Sequence, residues 1–252
     1  MPCPTRWPRY SRASHLHPWT DLEAVTHKKR NRAPFGLLLG ALILFLFLVP
    51  IVGETEAGKT IVSLGFTGIL VAGLGVARQS SRFLLIAIVL IVANLVAQWV
   101  DQFIHADGSG STVTRSLLGA AYFSYLVIAL IRLLLHEREV SVDTILGGIN
   151  VYLLIAIVFA QLHSVLECLS PGAYQQGGVA LDQLPGAADG PPPATFLYFS
   201  FVTITTLGYG DVSPIIPVAE FLSVAEAVIG QLYIAILIGG LVALLISGRI
   251  DR

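Results

Sequence analysis

Charge is what this chain has least of. Only 12% of its 252 residues are Asp, Glu, Lys or Arg, about half of the roughly 25% that a soluble domain carries. Its 16 acidic and 15 basic side chains leave a net charge of −1, so there is no global basic field for nucleic acid. The two cysteines, Cys3 and Cys168, form no disulfide framework. No zinc-ligand cluster is visible, and no nucleophile stands with a base, so neither a metal centre nor a covalent catalytic site is expected. What is present is apolar. Hydrophobic residues make up 55% of the chain, and mean hydropathy is +0.77. These values exclude a disordered chain, argue against a soluble enzyme and predict an all-α membrane protein.

A spanning helix needs about 20 mostly apolar residues. Six stretches qualify, at roughly 35–53, 61–77, 83–100, 116–135, 144–166 and 217–247. The second holds Gly65, Gly68, Gly73 and Gly75, which lower helix propensity but let membrane helices approach closely. Basic residues segregate. Arg6, Arg9, Arg12, Lys28, Lys29, Arg30 and Arg32 precede the first span, Arg78 and Arg82 follow the second, Arg132 and Arg138 follow the fourth, and Arg249 and Arg252 end the sequence. Six spans put all of these on one side, which predicts a multi-pass protein of the cell (plasma) membrane with cytoplasmic N- and C-termini. Residues 1–32 read as a basic N-terminal cytoplasmic segment, since no apolar core with a cleavage site follows them.

A long connection, about 167–216, separates the last two spans. It opens with a polar, Gly/Pro-rich stretch that reads as an exposed loop through Pro191-Pro192-Pro193. By propensity the stretch 196–206 is a strand. A lone strand leaves its backbone unsatisfied at membrane depth, whereas a short helix does not. The reading is therefore a re-entrant half-helix over 194–205, started by the proline run. It leads into Thr205-Thr206-Leu207-Gly208-Tyr209-Gly210-Asp211.

That string resembles the selectivity-filter signature of potassium channels and sits where the family puts it, between an outer and an inner pore helix. The resemblance covers about 144–247. It implies a homotetramer around a four-fold axis, with K⁺ as the permeant ion and no cofactor. It also implies ion binding by the carbonyls of Thr206, Leu207, Gly208 and Tyr209. Thr205, Gly210 and Asp211 would support the filter, and Tyr209 would brace it against the half-helix around it. Carbonyls that all face the axis need positive φ at alternate positions, which glycine reaches without steric cost. The organisation so implied is a four-helix transmembrane domain over 33–139 and a pore domain over 140–252. The chain departs from the family's pattern in carrying Tyr198 and Phe199 where tryptophans are common. Val202 stands where some members place a carboxylate. How Asp211 is held is thereby left open.

Within the last span, Gly230 and the pair Gly239-Gly240 read either as gating hinges or as close-packing positions. Glu226 is expected to support the filter base or the half-helix, or to face the cavity. His163, Glu167 and Cys168 read as a helix end emerging into water, with a metal or proton sensor as the lesser reading. No conventional voltage sensor is expected, because the fourth span has Arg115 and Arg132 at its ends and none between. No ligand-binding domain is expected after Arg252. Gly53–Thr60 matches the Walker A pattern but joins two apolar spans, so no nucleotide is expected. The function that follows is a potassium-selective channel subunit conducting K⁺ passively through a TTLGYGD filter in a lipid bilayer. A nonselective cation channel, or a subunit needing a partner, is the alternative, and a transporter or enzyme is less favoured.

Overall fold

The computed structural model describes residues 35–52, 56–77, 81–104, 109–136, 142–184 and 193–250. The expected basic segment 1–32 lies outside the described residues, as do Gly53, Glu54 and Thr55 of the Walker-like string. The rest of that string opens a helix that follows another helix, not a strand. In chain order the helices are α1 (Phe35–Val52), α2 (Glu56–Ala77), α3 (Ser81–Ile104), α4 (Ser109–His136), α5 (Val142–Leu169), α6 (Pro193–Ile204) and α7 (Pro217–Ile250). Helix α2 starts ahead of the apolar run at 61 and stays helical through its four glycines. Among the described residues, three helical stretches are long and apolar enough to cross a membrane, namely Gly110–His136, Val142–Leu169 and Pro217–Leu237. Helices α1, α2 and α3 contribute shorter apolar stretches, Phe35–Val49, Ile61–Gly75 and Phe83–Gln98.

The first helix shows why these sequences suit a membrane. Leu38, Leu42, Phe45 and Val49 lie at helical spacing and are buried, while Leu37, Leu44, Phe47 and Ile51 on the other side are exposed. A helix that is apolar all round is at home only where its outer face also meets an apolar medium. Helix α5 is the centre of the packing and touches α1, α4, α6 and α7. Its Val151 and Leu154 share one core with Tyr122, Phe123, Leu126 and Leu130 of α4.

Polar side chains tie the helices together by reaching backbone carbonyls of neighbours. The Tyr122 hydroxyl donates to the Leu70 carbonyl at 2.5 Å and the Tyr125 hydroxyl to Phe83 at 2.7 Å. Asn94 Nδ2 donates to Leu118 at 3.1 Å, and Asn150 Nδ2 to Phe35 at 2.9 Å. Such interhelical bonds contribute about 0.6 kcal/mol each in a membrane.

The stretch after α5 is more than the exposed loop expected of it. Strands β1 (Tyr174–Gln176), β2 (Val179–Ala180) and β3 (Val212–Pro214) form an antiparallel sheet in the order β2-β1-β3, with Gln175 opposite both Ala180 and Ser213. Gly177 and Gly178, at φ 58° and 85°, turn the β1–β2 hairpin. Positive φ at both central residues is what a two-residue hairpin of this hand requires. A 3₁₀ turn follows at Leu181–Gln183. Ala173, Tyr174 and Leu181 are buried with Phe196 and Phe199 of α6 in a second, smaller core. A polar, glycine-rich segment becomes ordered because it has aromatic rings to cover.

The crossing of α2 and α4 depends on Gly73. A Cβ there would meet the Tyr122 hydroxyl at 2.5 Å and Leu126 Cδ1 at 2.6 Å, whereas at Gly68 it would meet nothing within 4 Å. Gly73→Ala is expected to destabilise the protein by about 1–3 kcal/mol through overpacking, and Gly68→Ala to be near neutral. Thermal unfolding of both variants in detergent measures this, and equal midpoints would refute the packing account.

Candidate ion pathway

Helix α6 begins at Pro193, where the missing N–H of proline costs nothing. It ends by a specific hydrogen-bond exchange. The Thr206 N–H donates to the Thr203 carbonyl at 2.9 Å, and the Leu207 N–H reaches back to Val202 at 2.9 Å. This is a Schellman motif, whose turning residue takes the left-handed conformation and is usually glycine. Here it is Thr206, at φ 58°, a β-branched residue in a region that disfavours it. Backbone strain of this kind persists only where the surroundings enforce it.

The Gly208 N–H also donates to Val202, at 3.2 Å. The N–H groups of Thr206, Leu207 and Gly208 are therefore consumed by the end of α6. The carbonyls are not. Among the described residues, no backbone N–H donates to the carbonyls of Thr206, Leu207, Gly208 or Tyr209. Positive φ falls at Thr206, Gly208 and Gly210, at 58°, 58° and 76°, and at neither residue between them. Residues 205–210 are all exposed in the single chain. Tyr209 is 67% exposed, so its ring is not buried against its own α6. A row of unpaired carbonyls is costly away from water unless something else coordinates it. Its chemistry suits a bare cation.

The far end of this row is fixed as firmly as the near end. The Tyr198 hydroxyl lies close enough to the Asp211 carboxylate for the two to interact. The Asp211 carbonyl accepts the Gly177 N–H at 3.0 Å, and Val212–Pro214 joins the sheet. Gln175 Nε2 donates to the Ser213 hydroxyl at 3.0 Å. Tyr198 thus offers Asp211 a hydroxyl, which Phe199 cannot. Phe199 turns inward, 5% exposed, onto His163 and Tyr174.

Behind α6 lies a polar cluster that sequence reasoning located only in part. His163 and Glu167 are 0% and 3% exposed, which corrects the reading of a helix end emerging into water. The Glu167 carboxylate accepts the N–H groups of Gly172 at 2.8 Å and Tyr174 at 3.1 Å, and so holds the turn from α5 to β1. His163 sits with Nδ1 2.6 Å from the Tyr174 hydroxyl and Nε2 2.9 Å from Glu226 Oε2. Glu226 Oε1 contacts the Ser200 hydroxyl of α6, and that hydroxyl donates to the Ala156 carbonyl at 2.6 Å. Glu226 therefore faces the short helix, the supporting position among those expected. The i, i+4 pair His163/Glu167 was the only local hint of this cluster. Its partners Ser200 and Glu226 lie too far along the chain for spacing to reveal them. Among the described residues, no group of three or more His, Cys, Asp or Glu could hold a metal.

The other end of α6 rests on Gly230. A Cβ there would meet Ile204 Cγ1 at 2.5 Å and the Ile204 carbonyl at 2.9 Å. The Tyr152 hydroxyl donates to that same carbonyl at 3.1 Å. The Tyr152 ring stacks on Tyr233, whose hydroxyl donates to Gly148 at 2.8 Å. Close packing thus explains the glycine at 230. At Gly239 and Gly240 a Cβ would meet nothing within 4 Å.

Residues 177–247 match the family model described as Ion channel. Over 88 residues the chain is 40% identical to the two pore potassium channel c of Oryza sativa subsp. japonica. That match covers 32% of this chain and 19% of the rice protein, so the chain spans about a fifth of the relative's length. No solved structure matches the chain. Both likenesses are to channels, one to an ion channel family and one to a potassium channel, and not to enzymes.

Tyr198→Phe is expected to lower ion flux severalfold with helix content unchanged, because it frees Asp211 and leaves the core intact. Circular dichroism together with flux in liposomes measures both, and unaltered flux would show that Asp211 is held some other way.

Proposed function

We propose, from the potassium channel likeness of residues 177–247, that this chain is one subunit of a homotetrameric K⁺-selective channel. In this reading Thr205–Asp211 is its selectivity filter. The observation that carries the proposal is the row of four unpaired carbonyls at 206–209, flanked by positive φ at 206, 208 and 210. A dehydrated K⁺ needs a cage of oxygens in place of its water. One chain supplies one wall, and a closed ring of four copies completes the cage.

Two further features support a ring. The filter segment and Tyr209 are exposed in the single chain, and so are Phe221, Val224, Val228, Leu232 and Ile236 of α7. Neighbouring copies would cover both, with Tyr209 bracing the filter against the next subunit. Helix α6 ends at the filter, so the negative end of its dipole favours a cation beyond it.

The remaining assignments belong to the same proposal. Helices α1 to α5 and α7 cross the plasma membrane, α6 re-enters it, and both termini lie in the cytoplasm. K⁺ moves passively, without cofactor or nucleotide. Gating is not by a conventional voltage sensor. Gly239-Gly240, where nothing crowds a Cβ, is a better bending point than Gly230.

Purified protein in liposomes tests this. Vesicles loaded with K⁺ and diluted into Na⁺ are expected to take up protons when a protonophore is added. Ba²⁺ is expected to block the flux, and Gly208→Ala, which puts a Cβ where φ is 58°, to abolish it. Equal Na⁺ and K⁺ flux would favour a nonselective channel instead, and silence without tetramers a subunit that needs a partner.

A further inference from the structure

The buried cluster behind α6 contains a proton count that fixes the state of its carboxyl group. Four contacts run in series, from the Tyr174 hydroxyl to His163 Nδ1, from His163 Nε2 to Glu226 Oε2, from Glu226 Oε1 to the Ser200 hydroxyl, and from that hydroxyl to the Ala156 carbonyl. Each contact needs one hydrogen. A carbonyl has none to give, so the Ser200 hydrogen points to Ala156. The hydrogen between Ser200 and Glu226 then belongs to Glu226. Glu226 Oε2 accepts from His163 Nε2–H, and His163 Nδ1 accepts from Tyr174. Burial, then the nearby Glu167 and Glu226, push the Tyr174 phenol up, which keeps that donor protonated. A charged His163–Glu226 pair makes a poorer fit. The carboxylate would draw the Ser200 hydrogen to itself and leave the Ser200–Ala156 contact without one.

We propose that Glu226 is a positioning residue that works in its protonated, neutral form. Its carboxyl hydrogen holds Ser200, and with it the helix that carries the filter, and loss of that hydrogen shuts conduction. The proposal rests on the reading of residues 205–211 as the ion pathway. In the step itself, the hydrogen on Glu226 Oε1 leaves for bulk base, the Ser200 hydroxyl turns to the new carboxylate, and the Ala156 carbonyl loses its side-chain donor from α6. The tie between α5 and α6 is broken, and an unpaired charge is left inside the protein, where both changes are expensive.

Titratable and polar groups from four other elements surround the pair. From α5 come Glu167, bound to the backbone of the α5–β1 turn, and Tyr152, bound to Ile204. Cys168 follows Glu167, with Arg115 of α4 close to it. The 3₁₀ turn adds Asp182 beside Glu167, and β1 adds Tyr174. Helix α6 offers Ser200 and the rings of Phe196 and Phe199 against His163. Helix α7 offers Glu226 itself and Tyr233, which is bound to Gly148.

The full chain in liposomes tests this through Glu226→Gln. The amide keeps an acceptor for His163 and a donor for Ser200, but it cannot ionise. Infrared difference spectra are expected to show a protonated-carboxyl stretch in the wild type that disappears at alkaline pH and is missing from E226Q. K⁺ flux of the wild type is expected to be lost over the same pH range, while E226Q conducts at every pH tested. A missing carboxyl band overturns the proposal whether or not the protein conducts. So does an E226Q profile that follows the wild type, or E226Q that fails to assemble when the wild type succeeds. A band without K⁺ flux at any pH overturns the pathway reading instead, and the gating role with it.

Discussion

Backbone carbonyls that are to face an ion must be kept away from every donor in their own chain. The C-terminal half of this protein meets that constraint. The Schellman end of α6 meets it by asymmetry, since it takes up the N–H groups of Thr206, Leu207 and Gly208 and leaves the carbonyls of 206–209 free. The conformation that permits this puts a threonine at φ 58°. Such a turn needs support from outside, and it has support at both ends. Ile204 is wedged against Gly230 and held by Tyr152. Asp211 is held through its carbonyl by Gly177 of the hairpin and has the Tyr198 hydroxyl beside its carboxylate.

The support is polar where a membrane protein can least tolerate polar groups. His163, Ser200 and Glu226 are all 0% exposed. An isolated ionisable group at that depth costs several kcal/mol, but here every hydrogen bond in the series has a donor and an acceptor. The series also joins α5, α6, α7 and β1. It adds directional bonds to a core packing that already buries Phe196, Leu197, Phe199 and Ile204 of α6.

Much of this was legible in the sequence. The helical stretches follow from apolar runs, and the string Thr205–Asp211 stands out as a short motif between two of them. The short helix was legible only against propensity, because Phe196–Thr206 reads as a strand until membrane depth is considered. The sheet was missed although its hairpin signal, Gly177-Gly178 before Val179, was present. The polar composition around it hid the fact that Tyr174 and Leu181 have rings to cover. The burial of His163 was not legible, because Ser200 and Glu226 lie on other helices and nothing near His163 in sequence announces them. The same holds for Gly230, whose need for space comes from Ile204 and not from any bend of its own helix.

The central claim is that the free carbonyls of four copies form a cage fitted to K⁺. Ion-dependent stability of the purified assembly tests it most directly, because a ligand bound only by the assembled state stabilises that state. Thermal dissociation followed by native gel or mass measurement should show a tetramer whose midpoint rises with added K⁺ and not with Na⁺. The same midpoint in both ions, or an assembly with no four-fold stoichiometry, would contradict the account.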